Sequence, residues 1–280
     1  MCRPTYFDVS YEINPWMDAS DPVDTARAVA QWDRLRETYE RLGHEVLLVD
    51  PVDGLPDLVF AANGGLVVRG RAVAPRFAHP ERQGETPVWR DWLAAHVDPD
   101  VVVPEHPMEG EGDARVVRAA GGPGTDPVLL VAEGMRTVAA AHDGLAAVTG
   151  LEVVPLTLVD ARYYHLDTAL AVLAPGTVAV HPPALAHASL DLLRERVTAV
   201  LEVDAADAAV LGLNAVSDGR HVVLPEQAHG FARTLRTHGF EPVGVDLSEL
   251  LRSGGGPKCC TLLLDHGLDD WGSPTRHDPS

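Results

Sequence analysis

The stretch "TALAVLAPGTVAVHPPALAHASLDLLRERVTAVLEVD" (Thr168–Asp204) decides the fold. Two β-forming runs, at 168–173 and 177–180, flank an Ala-Pro-Gly turn and read as a hairpin. A helical segment within 183–199 follows and leads into a third apolar strand, Ala199–Asp204. The unit is therefore hairpin, helix, strand, and it recurs on both sides. "GGLVVRGRAVAP" (64–75) and "LGLNAVSDGRHVVLP" (211–225) are further hairpins, and "DARVVRAAGGPGTDPVLLVAEGM" (113–135) is a longer one. Helical segments end at Gly43, Gly150 and Gly239, and each runs into a strand: "HEVLLVD" (44–50), "LEVVPLTLVD" (151–160) and "FEPVGVD" (240–246). The first of these helices lies in residues 20–43. Ser20 or Asp21 is its cap, Pro22 suits its first turn, and Ala28, Trp32, Leu35, Tyr39 and Leu42 share one face.

A unit repeated four or five times at roughly fifty-residue spacing is the mark of a repeat architecture. Because hairpins keep intervening, a radial, propeller-like α/β domain fits better than a doubly wound sheet. The expected organisation is one domain over residues 1–265 and a polar, turn-rich tail over 266–280.

Composition bounds the function. With 46% apolar and 22% charged residues in 280, the chain reads as globular, and no run is long enough to span a membrane as a helix. The start "MCRPTYFDVSYEINPWMD" carries Asp8, Glu12 and Pro15 and is not a signal peptide, so a cytoplasmic protein is expected. A formal charge of −19 argues against nucleic acid or an anionic membrane as partner and suits a cationic small molecule. Three cysteines cannot build a disulfide framework. The 13 histidines show no HxH or HExxH spacing and the cysteines no CxxC, so no metal is expected. Neither a phosphate-binding GxxxxGK[ST] loop nor a GxSxG elbow is present.

Three stretches can carry chemistry. "MEGEGDA" (108–114) puts Glu109, Glu111 and Asp113 within five residues, separated by glycines. It is either an acidic surface loop or a tight turn presenting carboxylates to a cation. "YYHLDTALAVL" (163–173) sets His165 and Asp167 two apart at the mouth of a strand, where alternation would give them a common face. "SGGGPKCCTLLL" (253–264) runs three glycines and a proline into Cys259 and Cys260, which open a β-forming run, so that only one of them can face a given site. An ordinary thiol is only about 3% thiolate at pH 7, and nearby positive charge such as Lys258 or a cationic substrate would raise that fraction. These cysteines are either small packing residues or a nucleophile. Thiol, imidazole and carboxylates together are the parts of a covalent hydrolase.

In order along the chain, "INPWM" (13–17), "PDLVFAANGGLV" (56–67), "RFAHPERQGE" (76–85), "EGEGDA", "RYYHLDTALAVL", "LNAVSDG" and "GGGPKCCTL" resemble the guanidino-group-modifying enzymes of the pentein fold. The closest likeness is to their dimethylargininase and arginine dihydrolase branch, and it runs from the first residues to about Leu264. The resemblance implies a five-bladed α/β propeller that needs no cofactor. It implies Cys259 as nucleophile, His165 as general acid and base, Glu109 as catalytic glutamate, and Asp113 and Asp167 as the carboxylates that grip a guanidinium. Asn14 and Asn63 match asparagines linked with the dihydrolase type, or else they shape turns. Arg82 and Arg136 match arginines that hold the substrate α-carboxylate. The expected activity is arginine dihydrolase-like, with dimethylargininase as the alternative. Amidino transfer and a non-catalytic pentein binding protein are the remaining readings. Relatives commonly begin a few residues earlier than "MCRP", and some dihydrolases carry a further C-terminal domain. Oligomeric state is left open.

Overall fold

The computed structural model describes residues 1–121 and 125–266. The turn of the long hairpin and nearly all of the expected C-terminal tail lie outside the described residues. The helices are α1 (Thr25–Arg41), α2 (Glu85–His96), α3 (His142–Thr149), α4 (Leu166–Ala169), α5 (His187–Arg196), α6 (Ala205–Ala208), α7 (His229–Thr237) and α8 (Ser248–Leu251). The strands are β1 (Leu66–Val68), β2 (Arg71–Val73), β3 (Ala114–Arg118), β4 (Pro127–Glu133), β5 (Glu152–Thr157), β6 (Leu170–Ala174), β7 (Thr177–Val180), β8 (Ala199–Glu202), β9 (Val216–Ser217), β10 (His221–Pro225) and β11 (Glu241–Val245).

The unit read from residues 168–204 is present. β6 and β7 pair antiparallel, α5 crosses over, and β8 pairs parallel to β7. β3, β4, α3 and β5 repeat the arrangement, as do β9, β10, α7 and β11. β1 and β2 form the same hairpin, turning through Arg69 and Gly70, both at positive φ. A parallel bridge from Val73 to Val102 beyond α2 continues that unit. A parallel bridge from Cys2 to Val49 spans α1 in the same sense. The leading strands of successive units touch, β3 against β6 and β6 against β9. Strands such as β1 and β7 are buried on both faces, which explains their unbroken apolar runs.

The longer helices pack on strands, α1 and α7 on β11, α2 on β2, and α3 and α5 on β5. α1 buries Ala28, Trp32, Leu35 and Tyr39 in a cluster with Phe7, Phe60, Val223, Val245 and the two adjacent cysteines. Its cap differs from expectation. Asp24 accepts from Arg27 N at 2.9 Å, so the helix starts four residues after Asp21. Residues 44–48 pair less than their apolar run suggests, and Leu47 and Leu48 are exposed. Their backbone instead serves the start of the chain and α2: Leu47 O accepts from the Met1 ammonium and Leu48 O from Trp92 Nε1.

Candidate active site

Four loops from different units converge. The first is Ala61–Gly64, a single helical turn that buries Asn63. The second is the acidic loop at 109–113. Its tight turn depends on Gly110, at φ 61°, where a Cβ would meet Ala62 O at 2.5 Å and Gly65 O at 2.6 Å. Gly112 leaves room for Asn63, whose Nδ2 would lie 2.2 Å from a Cβ there. This is no acidic surface loop, because Glu109, Glu111 and Asp113 are all buried.

The third loop carries His165 and Asp167, in a conformation different from the expected strand. His165 is extended and caps the short helix α4, and Asp167 lies within that helical turn. A helical turn replaces alternation because Asp113 Oδ1 accepts from Leu166 N (3.2 Å) and Thr168 Oγ1 donates to His165 O (2.7 Å). The fourth loop carries the cysteines, also in a turn and not a strand: Cys260 N donates to Gly256 O and Thr261 N to Lys258 O. The turn directs the Cys259 thiol to Asp167, with Sγ 3.3 Å from Oδ2, while Cys260 packs in the core.

His165 Nε2 donates to Glu109 Oε2 at 2.8 Å, and Arg136 Nη1 lies 3.3 Å from the same oxygen. Glu109 Oε1 accepts from Ala78 N. Burial works against ionisation of Glu109, but the hydrogen bond and charge of His165, with Arg136 and Arg82, hold its pKa at about 2. Asp113 Oδ2 accepts from Thr137 N (3.2 Å) and Oγ1 (2.7 Å), yet burial pushes its pKa up to about 6. Burial raises Asp167 as well. It also raises the Cys259 thiol well above its ordinary value, and Asp167 and Cys260 add to the shift. Two polar atoms in this cluster, His165 Nδ1 and Asp167 Oδ1, are buried with no hydrogen-bond partner.

Asn63 is in the cluster. Its Nδ2 donates to Glu109 O at 3.2 Å and lies 3.5 Å from His165 Nε2. Arg136 reaches both Glu109 and Ile13 O (2.7 Å), with its guanidinium 5.0 Å from the Tyr164 ring.

Two of the expected substrate-binding residues are engaged by other protein groups in this structure. Arg82 does not offer its fork to a substrate carboxylate, because Glu85 takes Nε (2.7 Å) and Nη2 (2.9 Å), and Asn63 Oδ1 takes Nη1 (2.9 Å). A guanidinium this deeply buried requires such a partner, so Arg82 supports Asn63 from behind. Asn14 shapes a turn: Oδ1 accepts from Trp16 N (2.9 Å) and Nδ2 donates to Ser253 O (3.1 Å).

Lys258, expected to supply positive charge beside the thiol, instead donates from Nζ to Glu111 Oε2 at 2.9 Å and ties the cysteine turn to the acidic loop. Two residues escaped the sequence reading. Asp57 accepts from Tyr11 and Ser253 behind the site. Asn214 contacts Cys259 through both ends of its amide. A signal existed for the last of these, since "LNAVSDG" belongs to the series that carried the resemblance. Among the described residues no group of three or more His, Cys, Asp or Glu side chains is placed to hold a metal ion.

None of the protein-family models matches the chain. Among curated proteins it is 51% identical over 264 residues to the N(G),N(G)-dimethylarginine dimethylaminohydrolase of Mycobacterium tuberculosis, covering 94% of this chain and 84% of that one. It is 35% identical to the bifunctional arginine dihydrolase/ornithine cyclodeaminase AgrE of Nostoc, covering 96% of this chain but only 38% of that longer protein. Among solved structures, the N-terminal domain of the cyanobacterial arginine dihydrolase ArgZ aligns with a TM-score of 0.87 at 34% identity, covering 94% of this chain and 96% of that one. That structure is a cysteine-to-serine variant bound to substrate, and an asparagine-to-serine variant of the same domain holds a covalent reaction intermediate. The α/β architecture described above is the one these relatives share, and the chain belongs to the dimethylargininase and arginine dihydrolase branch of the pentein-fold guanidino-group-modifying enzymes.

Proposed function

We propose that this protein is a thiol-dependent hydrolase that cleaves guanidino C–N bonds of arginine, with the dihydrolase outcome of ornithine, carbon dioxide and two ammonia. One observation carries the reading. A buried thiol faces Asp167, and the adjoining His165 is held by Glu109 at one ring nitrogen while the other has no partner. We read the chain as a single catalytic domain over residues 1–265 and as a five-bladed propeller. The three complete sheets supply three blades, the β1–β2 hairpin with its Val102 bridge a fourth, and the segments flanking α1 a fifth. We also read it as a cytoplasmic enzyme acting on a cationic small molecule. No helix among the described residues is long and apolar enough to cross a membrane.

Asp113 and Asp167 grip the planar guanidinium through charge-assisted hydrogen bonds and set its central carbon over Cys259 Sγ. Neutralising both carboxylates removes the repulsion that keeps the sulfur protonated, and the thiol proton passes to His165, which becomes the imidazolium. The thiolate then attacks the carbon, the C–N bond to the leaving nitrogen breaks, and protonated His165 supplies that nitrogen's proton from Nδ1. Glu109 stabilises the imidazolium through Nε2. Water adds to the resulting S-alkylthiouronium and gives its proton to His165. The C–S bond breaks, sulfur leaves with the electron pair, and citrulline is formed. In a second round citrulline loses ammonia, and the carbamate left on nitrogen decomposes to ornithine and carbon dioxide. A ureido carbon is a poorer electrophile, so this round needs polar groups at the ureido oxygen. The Asn63 amide, 3.5 Å from His165 Nε2, favours the dihydrolase reading on that ground. Arg136 beside Glu109 is the candidate for the substrate α-carboxylate.

The 51% identity to a dimethylargininase favours a second reading, in which dimethylarginine gives citrulline and dimethylamine in a single round. Mass spectrometry of products from arginine, N,N-dimethylarginine and citrulline, each offered separately, tests the choice. Ornithine from both arginine and citrulline supports the dihydrolase. Dimethylamine from dimethylarginine, with arginine untouched, supports the second reading, and no turnover of any of the three overturns both.

A further inference from the structure

Asn214 touches the sulfur of the proposed nucleophile, and its amide orientation is fixed by its neighbours. Oδ1 accepts from Cys259 N at 2.9 Å. Nδ2 donates to Asp167 O at 3.2 Å and lies 3.0 Å from Cys259 Sγ. A backbone N–H can bond only the amide oxygen and a backbone carbonyl only the amide nitrogen, so an N–H is necessarily aimed at sulfur. The side chain is fully buried. Its backbone is held as well: N donates to Leu211 O (2.8 Å) and O accepts from Lys258 N (3.3 Å). Gly256 gives it room, since a Cβ there would meet Asn214 Oδ1 at 2.8 Å.

Apart from the Gly256 backbone, the other groups around the sulfur oppose a negative charge. Asp167 presents a carboxylate at 3.3 Å, and the buried Tyr164 phenol and the Cys260 thiol are within electrostatic reach. The Lys258 ammonium, next in sequence, is turned away onto Glu111 and Thr261 O. We propose that Asn214 is a catalytic residue whose amide N–H stabilises the Cys259 thiolate, both as it attacks the guanidinium carbon and as it is expelled when water displaces it. The inference rests on Cys259 being the nucleophile. A hydrogen bond to a charged group contributes enough to move a pKa by about one unit, and a donor preorganised in a water-free site costs no reorganisation during the reaction.

The test is the pH dependence of Cys259 alkylation by iodoacetamide, followed by peptide mass, in the wild type, Asn214→Leu and Asn214→Ala, alongside kcat and KM. The alanine variant removes the donor without adding charge or bulk, so it carries the test alone if the leucine variant does not fold. The expected result is an alkylation midpoint about one pH unit higher, a roughly tenfold slower reaction at pH 7.5, and kcat reduced at least tenfold with KM little changed. An unchanged midpoint in a folded variant overturns the proposal even if kcat falls, because a merely structural role lowers turnover without moving the titration of sulfur. Failure of the nucleophile assignment shows separately, as turnover retained in Cys259→Ser.

Discussion

The ion pair between Lys258 and Glu111 supports a quantitative prediction, because each residue adjoins proposed catalytic groups. Lys258 precedes Cys259, and Glu111 stands between Glu109 and Asp113. Nζ and Oε2 are 2.9 Å apart with both side chains fully buried, and Leu263 N donates to the same oxygen at 2.8 Å. Lys258→Met leaves the Glu111 carboxylate buried without its ammonium, a change that typically costs about 3–5 kcal/mol. Glu111 keeps Leu263 N and the nearby His266 (3.3 Å), so the lower end, about 3 kcal/mol, is the expected loss. For a domain of this size that corresponds to a fall in Tm of about 6–12 °C, read by thermal unfolding. The double variant Lys258→Met/Glu111→Leu removes both charges and is expected to regain at least about half of the loss. A single variant melting within about 2 °C of wild type, or a double variant worse than the sum of the singles, would refute the idea that this pair staples the two loops.

Other outcomes follow from the same geometry. Cys260→Ala truncates a core side chain while the Sγ contact to Asp167 belongs to Cys259, so turnover is expected within about twofold of wild type, with about 1 kcal/mol of stability lost. Gly112→Ala drives a methyl into Asn63 and against the His165 ring (2.2 and 3.4 Å), and kcat on citrulline should fall at least about tenfold, more than on arginine. With Asp113 at about 6, kcat/KM should drop on the acid side near pH 6, about tenfold per unit, because a protonated carboxyl cannot pair with a guanidinium. The stability effects of the two carboxyls have opposite signs. Asp113, raised in the fold, favours the folded state as pH falls from about 6 towards 4. Glu109, held at about 2, contributes stability above its unfolded value, and that contribution is lost as pH falls towards 2. A kcat/KM profile flat through pH 6 would contradict the Asp113 assignment.

The repeat was legible because each unit announces itself locally. A turn dipeptide such as Arg69-Gly70, a glycine past a helix end such as Gly150, and an unbroken apolar run each specify structure within a few residues. The convergence of Cys259, His165, Glu109, Asp113 and Asp167 was legible only through the ordered series of motifs. No local pattern brings residues 109 and 259 together. Details set by tertiary hydrogen bonds were not legible. Alternation placed His165 and Asp167 on a strand, whereas the Asp113 carboxylate caps Leu166 N and winds α4. Arg82 was matched to an arginine that holds the substrate α-carboxylate, because the depth that forces its pairing with Glu85 is a property of the packed loop. Asn214 was missed for a similar reason: an amide 45 residues from the thiol has meaning only once both of its ends are seen to be engaged.

The central claim is that Cys259 sulfur becomes covalently bonded to the guanidinium carbon. Acid-quenching the enzyme during turnover of arginine, then measuring intact mass and mapping peptides, tests it directly. The account predicts a species heavier by arginine less one ammonia, with the added mass on Cys259 and absent from Cys259→Ser. Turnover that persists in Cys259→Ser, or an adduct mapped to Cys260 or Cys2, would contradict it.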